Sequence, residues 1–442
     1  MDTNIPKMYK RYGQYINTYR AFPLDVDGLK PVERRILLVA YQEAKDKFVK
    51  SARIDGTTIA KYHPHSSVYL TIVQLANQNF LDKQGNFGNT LGVDPSPPAA
   101  SRYTECKLSK RILDMCFQYI KYVPWDLCET DEKEPLYIPA MYPLCFLGTT
   151  STQGIGFGYR TLIPCYHEKD LKKRLLWLIS PNKKENDKGP IISPISDCQI
   201  LSSQDDLLQL LTTGKSTIKF KGIIQEDSTN FKCTLKSWPD GRRFESILTK
   251  LQIFFENMDV SFSDLSNEKN GTNVVFTVLK QRNREKIYQS FVSKLNDAVT
   301  GNVTYEINVC DLNKQVLLAS VDNMLLTTYS MFKSTSLKMI TSEIKRNLKI
   351  ISENELLQKI KPYLALELKN DTKDINSIIQ SLFEKVSPKY TYNDIKELID
   401  KHKISKLLTV KFDSVILLEK IKELENNIIK IDDFVLKQYE NM

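Results

Sequence analysis

The chain has 442 residues, 41% hydrophobic and 26% charged, enough for two or three domains that each bury a core. Basic residues outnumber acidic ones by 62 to 53, and the first 123 residues alone hold 18 Lys and Arg against 11 Asp and Glu, a balance that suits a polyanionic partner. No apolar run is long enough to span a bilayer, the first residues lack the apolar core of a secretory signal, and the eight scattered cysteines show neither Cys-x-x-Cys nor a Cys/His metal spacing.

Reduced thiols in a cytoplasmic setting, with no membrane partner, are therefore the expectation. Residues 8–50 read as helical, interrupted by a turn at Asp27-Gly28. Pro31 suits the first turn of a helix running to about Lys47, with Arg34 and Arg35 near its start. Asp25 and Asp27 shape the turn rather than hold a metal. A short helix follows Lys50 and ends near Lys61. After it comes His63-Pro64-His65, which lacks the third ligand a zinc site needs. Val68, Ile72, Val73 and Leu75 give Ser66–Asn77 helical spacing, completing a helix-turn-helix. Leu81 to Leu91, with Gly85 and Gly88, reads as a turn or wing.

The stretch Pro97-Pro98-Ala99-Ala100-Ser101-Arg102-Tyr103-Thr104-Glu105 carries the chemistry. A free phenol is a weak nucleophile at neutral pH, but a neighbouring guanidinium favours the phenolate and can fork onto two phosphate oxygens. Tyr103 and Arg102 are thus fit to act as nucleophile and charge stabiliser in phosphoryl transfer. As a bare dipeptide the signal is weak, since Arg-Tyr is common and far more often a half-buried tyrosine on a solvated helix. Lys107–Tyr119 has the pattern of an amphipathic helix, and Tyr137-Ile138-Pro139 that of a strand. Gly154-Ile155-Gly156-Phe157-Gly158 is no dinucleotide site, because no helix with a lysine or acidic partner follows it.

Residues 165–310 read as a mixed α/β unit. A polar loop spans 181–190, strands run through Ile218/Phe220, Val274/Phe276/Val278 and Tyr305/Ile307/Val309, and helices cover 244–258 and 284–298. From Asp322 the chain turns helical. Leu337, Ile340, Ile344, Leu348 and Ile351 form one stripe. Leu407, Val410, Ser414, Leu417, Ile421, Leu424, Ile428, Ile431 and Val435 form a heptad seam. Two long helices around a helical knob, residues 355–405, make an antiparallel coiled-coil arm.

Ala99-Ala100-Ser101-Arg102-Tyr103-Thr104-Glu105 resembles the active-site segment of the DNA-cleaving subunit of type IIA topoisomerases. Three further segments match that family in order: Asp27-Gly28-Leu29-Lys30-Pro31-Val32-Glu33-Arg34-Arg35, Lys61-Tyr62-His63-Pro64-His65 and Gln84-Gly85-Asn86-Phe87-Gly88. The resemblance implies an α+β chain with a winged-helix DNA-gate domain over 1–165, a tower domain over 166–320, and a coiled coil with a dimerisation knob over 321–442. It implies that Tyr103 joins a DNA 5′ phosphate while Arg102 stabilises the transition state. Lys30, His63 and His65 would position the backbone of double-stranded DNA, with Arg20, Arg34, Arg35, Lys61, Ser66 and Ser67 near it. Lys219, Lys221, Arg242 and Arg243 are generic candidates for flanking DNA. Ile155 would wedge between base pairs and bend the duplex; by its own pattern it is equally a core residue between flexible glycines.

A homodimer is implied, with a separate subunit that binds ATP and holds catalytic Mg²⁺, since this chain shows no ATPase signature and no acidic cluster for the metal. The chain begins just before the winged helix and stops after the coiled coil, so relaxation or decatenation is expected rather than negative supercoiling. Some positions depart from the bacterial pattern. Glu33 replaces a common histidine, and Leu70 replaces an acid that anchors fluoroquinolones, so weak sensitivity to those drugs is expected. Gly154-Ile155-Gly156 is nearer the eukaryotic form. The mixture suggests a phage or viral source, working in the host cytoplasm near the nucleoid. The competing reading is a non-catalytic winged-helix DNA-binding or architectural dimer.

Overall fold

The Asp27-Gly28 turn is held from inside. Gly28 has φ +69°, and a Cβ there would lie 2.8 Å from the Cys145 backbone nitrogen. The Asp27 carboxylate accepts from the backbone N–H groups of Leu29 (3.0 Å) and Ile138 (2.9 Å). These contacts come from a computed structural model that describes residues 5–89, 91–181, 187–280, 282–367, 374–386, 389–401 and 414–440. Before the turn lie α1 (Ile5–Ile16) and one wide π-helical turn (Asn17–Ala21). After it, α2 (Pro31–Glu43) starts on Pro31 with Glu33 reaching back to the Lys30 N–H, 2.8 Å. It ends four residues before the expected Lys47. The Ala44 carbonyl leaves the helix to accept the Leu108 N–H at 2.9 Å.

Next come β1 (Val49–Lys50), α3 (Ser51–Lys61), α4 (Tyr69–Asn77) and β2 (Leu81–Gln84). Asp55 binds Ser67 Oγ and the Val68 N–H, so Ser66–Val68 form the lead-in and the helix begins at Tyr69. The expected helix from Lys107 is preceded by a strand, β3 (Glu105–Leu108), in which Cys106 and Leu108 point inward. The helical run starts only after Ser109, with α5 (Lys110–Ile112) and a π-helical turn (Leu113–Phe117). The strands form an antiparallel sheet of order β1-β3-β2, with Val49 opposite Cys106 and Leu81 opposite Leu108.

Two hairpins follow: β4 (Trp125–Leu127) with β5 (Lys133–Pro135), and β6 (Thr152–Ile155) with β7 (Arg160–Ile163). Beyond α6 (Glu168–Ile179) come β8 (Gln199–Ile200), α7 (Gln204–Thr213), β9 (Lys215–Lys221), β10 (Ile224–Asp227), β11 (Lys232–Leu235), α8 (Phe244–Asn257), β12 (Val260–Asp264), β13 (Val274–Val278), α9 (Arg284–Ala298), β14 (Thr300–Glu306), β15 (Asn308–Cys310) and β16 (Val316–Leu318). The strand expected through Tyr305 to Val309 is two strands. Ile307 breaks it by donating its N–H to Gly214 O, 2.9 Å. One sheet has the order β6-β7-β14-β9-β8, the other β10-β11-β13-β12. The second packs α8 and α9 on a core that includes Phe254, Phe276 and Phe291. The first joins strands from either side of residue 165, and residues 1–332 form one compact unit.

Residues 333–442 form the other unit. Its longest element is the later part of α10 (Val321–Glu367), followed by α11 (Ile375–Val386), α12 (Tyr392–Lys401), α13 (Ser414–Ile429) and α14 (Ile431–Glu440). Ion pairs Lys333–Asp432 (2.5 Å) and Lys420–Glu343 (2.7 Å) fix an antiparallel register between α10 and the last two helices. Ile421, Leu424 and Val435 of the heptad seam are buried, whereas Leu407 and Val410 lie outside the described residues. The stripe on α10 differs from the expected one. Leu337 and Leu348 are exposed, while Ser336, Ile340, Asn347, Ile351 and Asn354 are buried. Polar residues occupy seam positions there, which an apolar pattern cannot reveal. Leu357, Ile360, Leu364, Ile379, Leu382, Ile395 and Leu398 give the knob a core of its own.

Candidate active site and nucleic-acid interface

Tyr103 sits on the loop entering β3, 63% exposed, with the Arg102 guanidinium 4.5 Å above its ring. The loop itself is tightly held. Ser51 and Ala52, at the start of α3, donate their N–H groups to Thr104 O (2.9 Å) and Ser101 O (3.2 Å). The buried Thr104 hydroxyl donates to Ser51 Oγ, 2.9 Å. Tyr69, from α4, donates its hydroxyl to Ala99 O (2.5 Å) and lies 3.0 Å from Thr104 Oγ1. Gly85, with φ +97°, lets the preceding loop run beside Tyr103 O; a Cβ there would lie 3.0 Å from that oxygen. The segment thus offers an exposed phenol and cation on a backbone pinned by two helices and a strand.

A second cluster gathers four of the expected residues. Arg35, only 3% exposed, is bidentate to Glu134 (2.7 and 2.9 Å) and donates to His63 Nδ1, 3.0 Å. Arginine has no acceptor, so His63 Nδ1 must be the accepting nitrogen and its proton resides on Nε2. Burial, then the charge of Arg35, lowers the His63 pKa to about 4, so the ring is neutral near pH 7. A neutral ring with Nε2–H is a donor suited to a phosphate oxygen. His65 meets it edge-on at 4.7 Å. Arg20 Nη2 lies 3.2 and 3.3 Å from the two nitrogens of His65, and Glu129 lies 3.4 Å from its Nε2. Tyr15 donates to Glu129 at 2.7 Å, and that bond raises its phenol pKa. A cavity of about 400 Å³ opens beside these groups.

Lys30 goes elsewhere. Its ammonium donates to Gln153 O (2.5 Å) on β6, the strand that ends at Ile155, and it lines a groove of about 680 Å³ with Gln74 and Lys236. Ile155 is 87% exposed at the hairpin tip, which removes the core reading. Lys61, Ser66 and Ser67 are exposed on the helix-turn-helix, Ser67 being bound to Asp55 at 2.9 Å. Arg34 differs from its expected place on a solvated, DNA-facing helix surface. It is buried and bidentate to Asp27 (2.7 and 3.0 Å), with a further bond to Leu29 O. Arg35 is likewise spent on Glu134 and His63. Glu33 is buried, and that burial raises its carboxyl pKa.

The family model for the A subunit of DNA gyrase/topoisomerase IV matches residues 20–441. The chain belongs to this family. The A subunit of DNA topoisomerase 4 from Bacillus subtilis is 30% identical over 344 residues, covering 72% of this chain and 41% of that protein. The DNA gyrase A subunit of Brachyspira hyodysenteriae is 30% identical over 250 residues, covering 52% of this chain and 29% of its own length. The corresponding gyrase chain of Neisseria gonorrhoeae is 37% identical over 204 residues, covering 42% and 21%. The chain thus spans less than half the length of these curated relatives.

In this member of the gyrase/topoisomerase IV family, Tyr15, Asn17, Ser51, Tyr69, Glu129 and Glu134 complete the two clusters and the turn beside them, and none carried a sequence signal. Their roles come from partners 30 to 140 residues away in the chain. Of the generic basic candidates, Lys219 and Arg243 are exposed and Lys221 is half-buried, whereas Arg242 donates to Ala298 O (2.5 Å) and Thr300 O (3.0 Å). All eight cysteines are free thiols, seven of them buried. Among the described residues no group of three His, Cys, Asp or Glu side chains fits a metal ion, and no helix is long and apolar enough to cross a membrane.

Proposed function

We propose that this chain is the DNA-cleaving and rejoining subunit of an ATP-dependent type IIA topoisomerase. The observation that carries the reading is the exposed Tyr103 phenol under the Arg102 guanidinium, on a backbone fixed by Ser51, Thr104 and Tyr69, within a chain of this family. In the proposed step Tyr103 Oη loses its proton and attacks a backbone phosphorus. The P–O3′ bond breaks, the 3′ oxygen takes up a proton, and the 5′ phosphate is left on tyrosine. One phosphodiester replaces another, so the reverse attack by the 3′ hydroxyl reseals the strand without another energy source. Arg102 meets the charge that develops on the phosphoryl oxygens. His63 Nε2–H, His65, Arg20 and Lys30 bind the flanking phosphates, and Ile155 wedges the duplex open.

The same reading assigns a winged-helix domain to 1–165, a tower domain to 166–320 and a coiled-coil arm with a dimerisation knob to 321–442. Two copies would each cut one strand, and a second duplex would pass through the break. We assign both the Mg²⁺ such enzymes use and the ATP site to a separate partner protein. The outcome proposed is relaxation or decatenation in a cytoplasmic, nucleoid-associated setting. The test is decatenation of linked DNA circles by the full chain with an ATPase partner. Tyr103→Phe should abolish it and leave duplex affinity within about threefold of wild type. A mutant that still unlinks circles would refute the assignment.

A further inference from the structure

The tip of the β6–β7 hairpin is gripped by the π-helical turn 17–21. Asn17, 5% exposed, spends both ends of its amide on one residue: Oδ1 accepts from Phe157 N (2.7 Å) and Nδ2 donates to Phe157 O (3.1 Å). That pairing fixes the amide's orientation, because a flip would set donor against donor. The backbone of the tip lies flush on the turn. A Cβ on Gly154 would collide with Ala21 O, and one on Gly156 with Asn17 Oδ1. Tyr9 and Tyr12 of α1 meet the Phe157 ring edge-on at 5.3 and 5.7 Å. A Cβ on Gly13 would come within 3.1 Å of Phe157 Cβ. The hairpin closes with Gly156 N–H on Tyr159 O, 3.0 Å. Against this anchoring Ile155 projects, 87% exposed, with Tyr159 half exposed on the other side of the tip. The same turn carries Arg20, which meets His65.

An apolar wedge bends DNA only if the backbone behind it does not yield. We propose that Asn17 is the positioning residue for Ile155: its two hydrogen bonds to Phe157 brace the hairpin tip so that inserting the isoleucine bends the duplex rather than the hairpin. The proposal rests on the reading of Ile155 as a residue that enters the base stack. Because the brace acts behind the tip, its loss should reduce bending far more than binding.

The experiment is energy transfer between dyes at the two ends of a short duplex, bound by the full chain together with its ATPase partner and Mg²⁺, with affinity measured in parallel. Asn17→Leu keeps the branched side-chain shape and removes both hydrogen bonds. It should cut the bent population at least fivefold with less than a threefold loss of affinity. Ile155→Ala should match it, and the double mutant should bend no less than either single one. If Asn17→Leu does not fold, Tyr9→Leu/Tyr12→Leu loosens the same tip from its exposed side. That pair should reduce the bent population about twofold in the wild-type background and not at all beside Ile155→Ala. Wild-type bending in a folded Asn17→Leu chain, or in the Tyr9/Tyr12 pair where that serves instead, would overturn the brace alone, provided Ile155→Ala fails to bend. Wild-type bending by Ile155→Ala would overturn the wedge and the brace together.

Discussion

The loop before β3 and the first turn of α2 both carry arginines in family motifs, and the molecule uses them in opposite ways. Arg102 is exposed, with its guanidinium over the ring of Tyr103. Arg34 and Arg35 are buried and bidentate to Asp27 and Glu134. A guanidinium left in solvent stays available for a phosphate that arrives with the DNA. One that is buried and paired has its charge and its donors committed to the fold, and it acts on a ligand only through what it orients. Arg35 does so by fixing the His63 tautomer. The lesson is that a basic motif marks a site without telling which of its charges face the ligand.

The largest expected effect sharpens that contrast. Arg102→Ala should slow DNA cleavage by about 10²–10³-fold while leaving the unfolding midpoint unchanged. Arg34→Met should do the reverse. It strands the Asp27 carboxylate in the interior and should cost about 3–5 kcal/mol in denaturant unfolding. Should Arg34→Met unfold at the wild-type midpoint and lose DNA binding instead, the division between the two regions would fail. Tyr69→Phe removes the hydroxyl that ties α4 to Ala99 O, and should lower stability by about 1–2 kcal/mol.

The smallest effect lies in the pH profile. His63 is held at about 4 against an ordinary 6.5, so between those values the unfolded chain binds a proton the native one refuses. Its contribution to stability is therefore present above pH 6.5 and lost as pH falls toward 4. His63→Gln should flatten that slope. Asp25 has the opposite sign. Burial, then the charges of Asp311 and Asp27, raise it to about 6, so its contribution is lost as pH climbs from 3.8 to 6. Asp25→Asn should steepen the net acid loss between pH 4 and 6, and equal slopes in both variants would contradict the assignment of these groups.

What is legible in the sequence is local. The Asp27-Gly28 turn and Pro31 at the start of a helix follow from short-range chemistry that a single segment carries, whereas the exposed loop that presents Tyr103 does not. The strand at Glu105–Leu108 escapes such a reading because an alternation of four residues is easily absorbed into a longer helical pattern, and only pairing with β1 and β2 decides it. The inward turn of Arg34 depends on a carboxylate seven residues earlier that also caps a turn. The partners of Arg35 and Asn17 lie 99 and 140 residues away, so no window of sequence could show them. The polar seam of α10 stays hidden because Ser336, Asn347 and Asn354 hold buried positions that an apolar count skips.

The measurement that tests the central claim most directly is a denaturant trap. The full chain and an ATPase partner are mixed with supercoiled DNA and Mg²⁺, quenched with detergent, and assayed for protein joined covalently to DNA 5′ ends. The account predicts a 5′ adduct in the wild type, located by peptide mapping to Tyr103 and absent from Tyr103→Phe. A cleaved product attached through another residue, or DNA binding by the assembled proteins with no adduct at all, would contradict it.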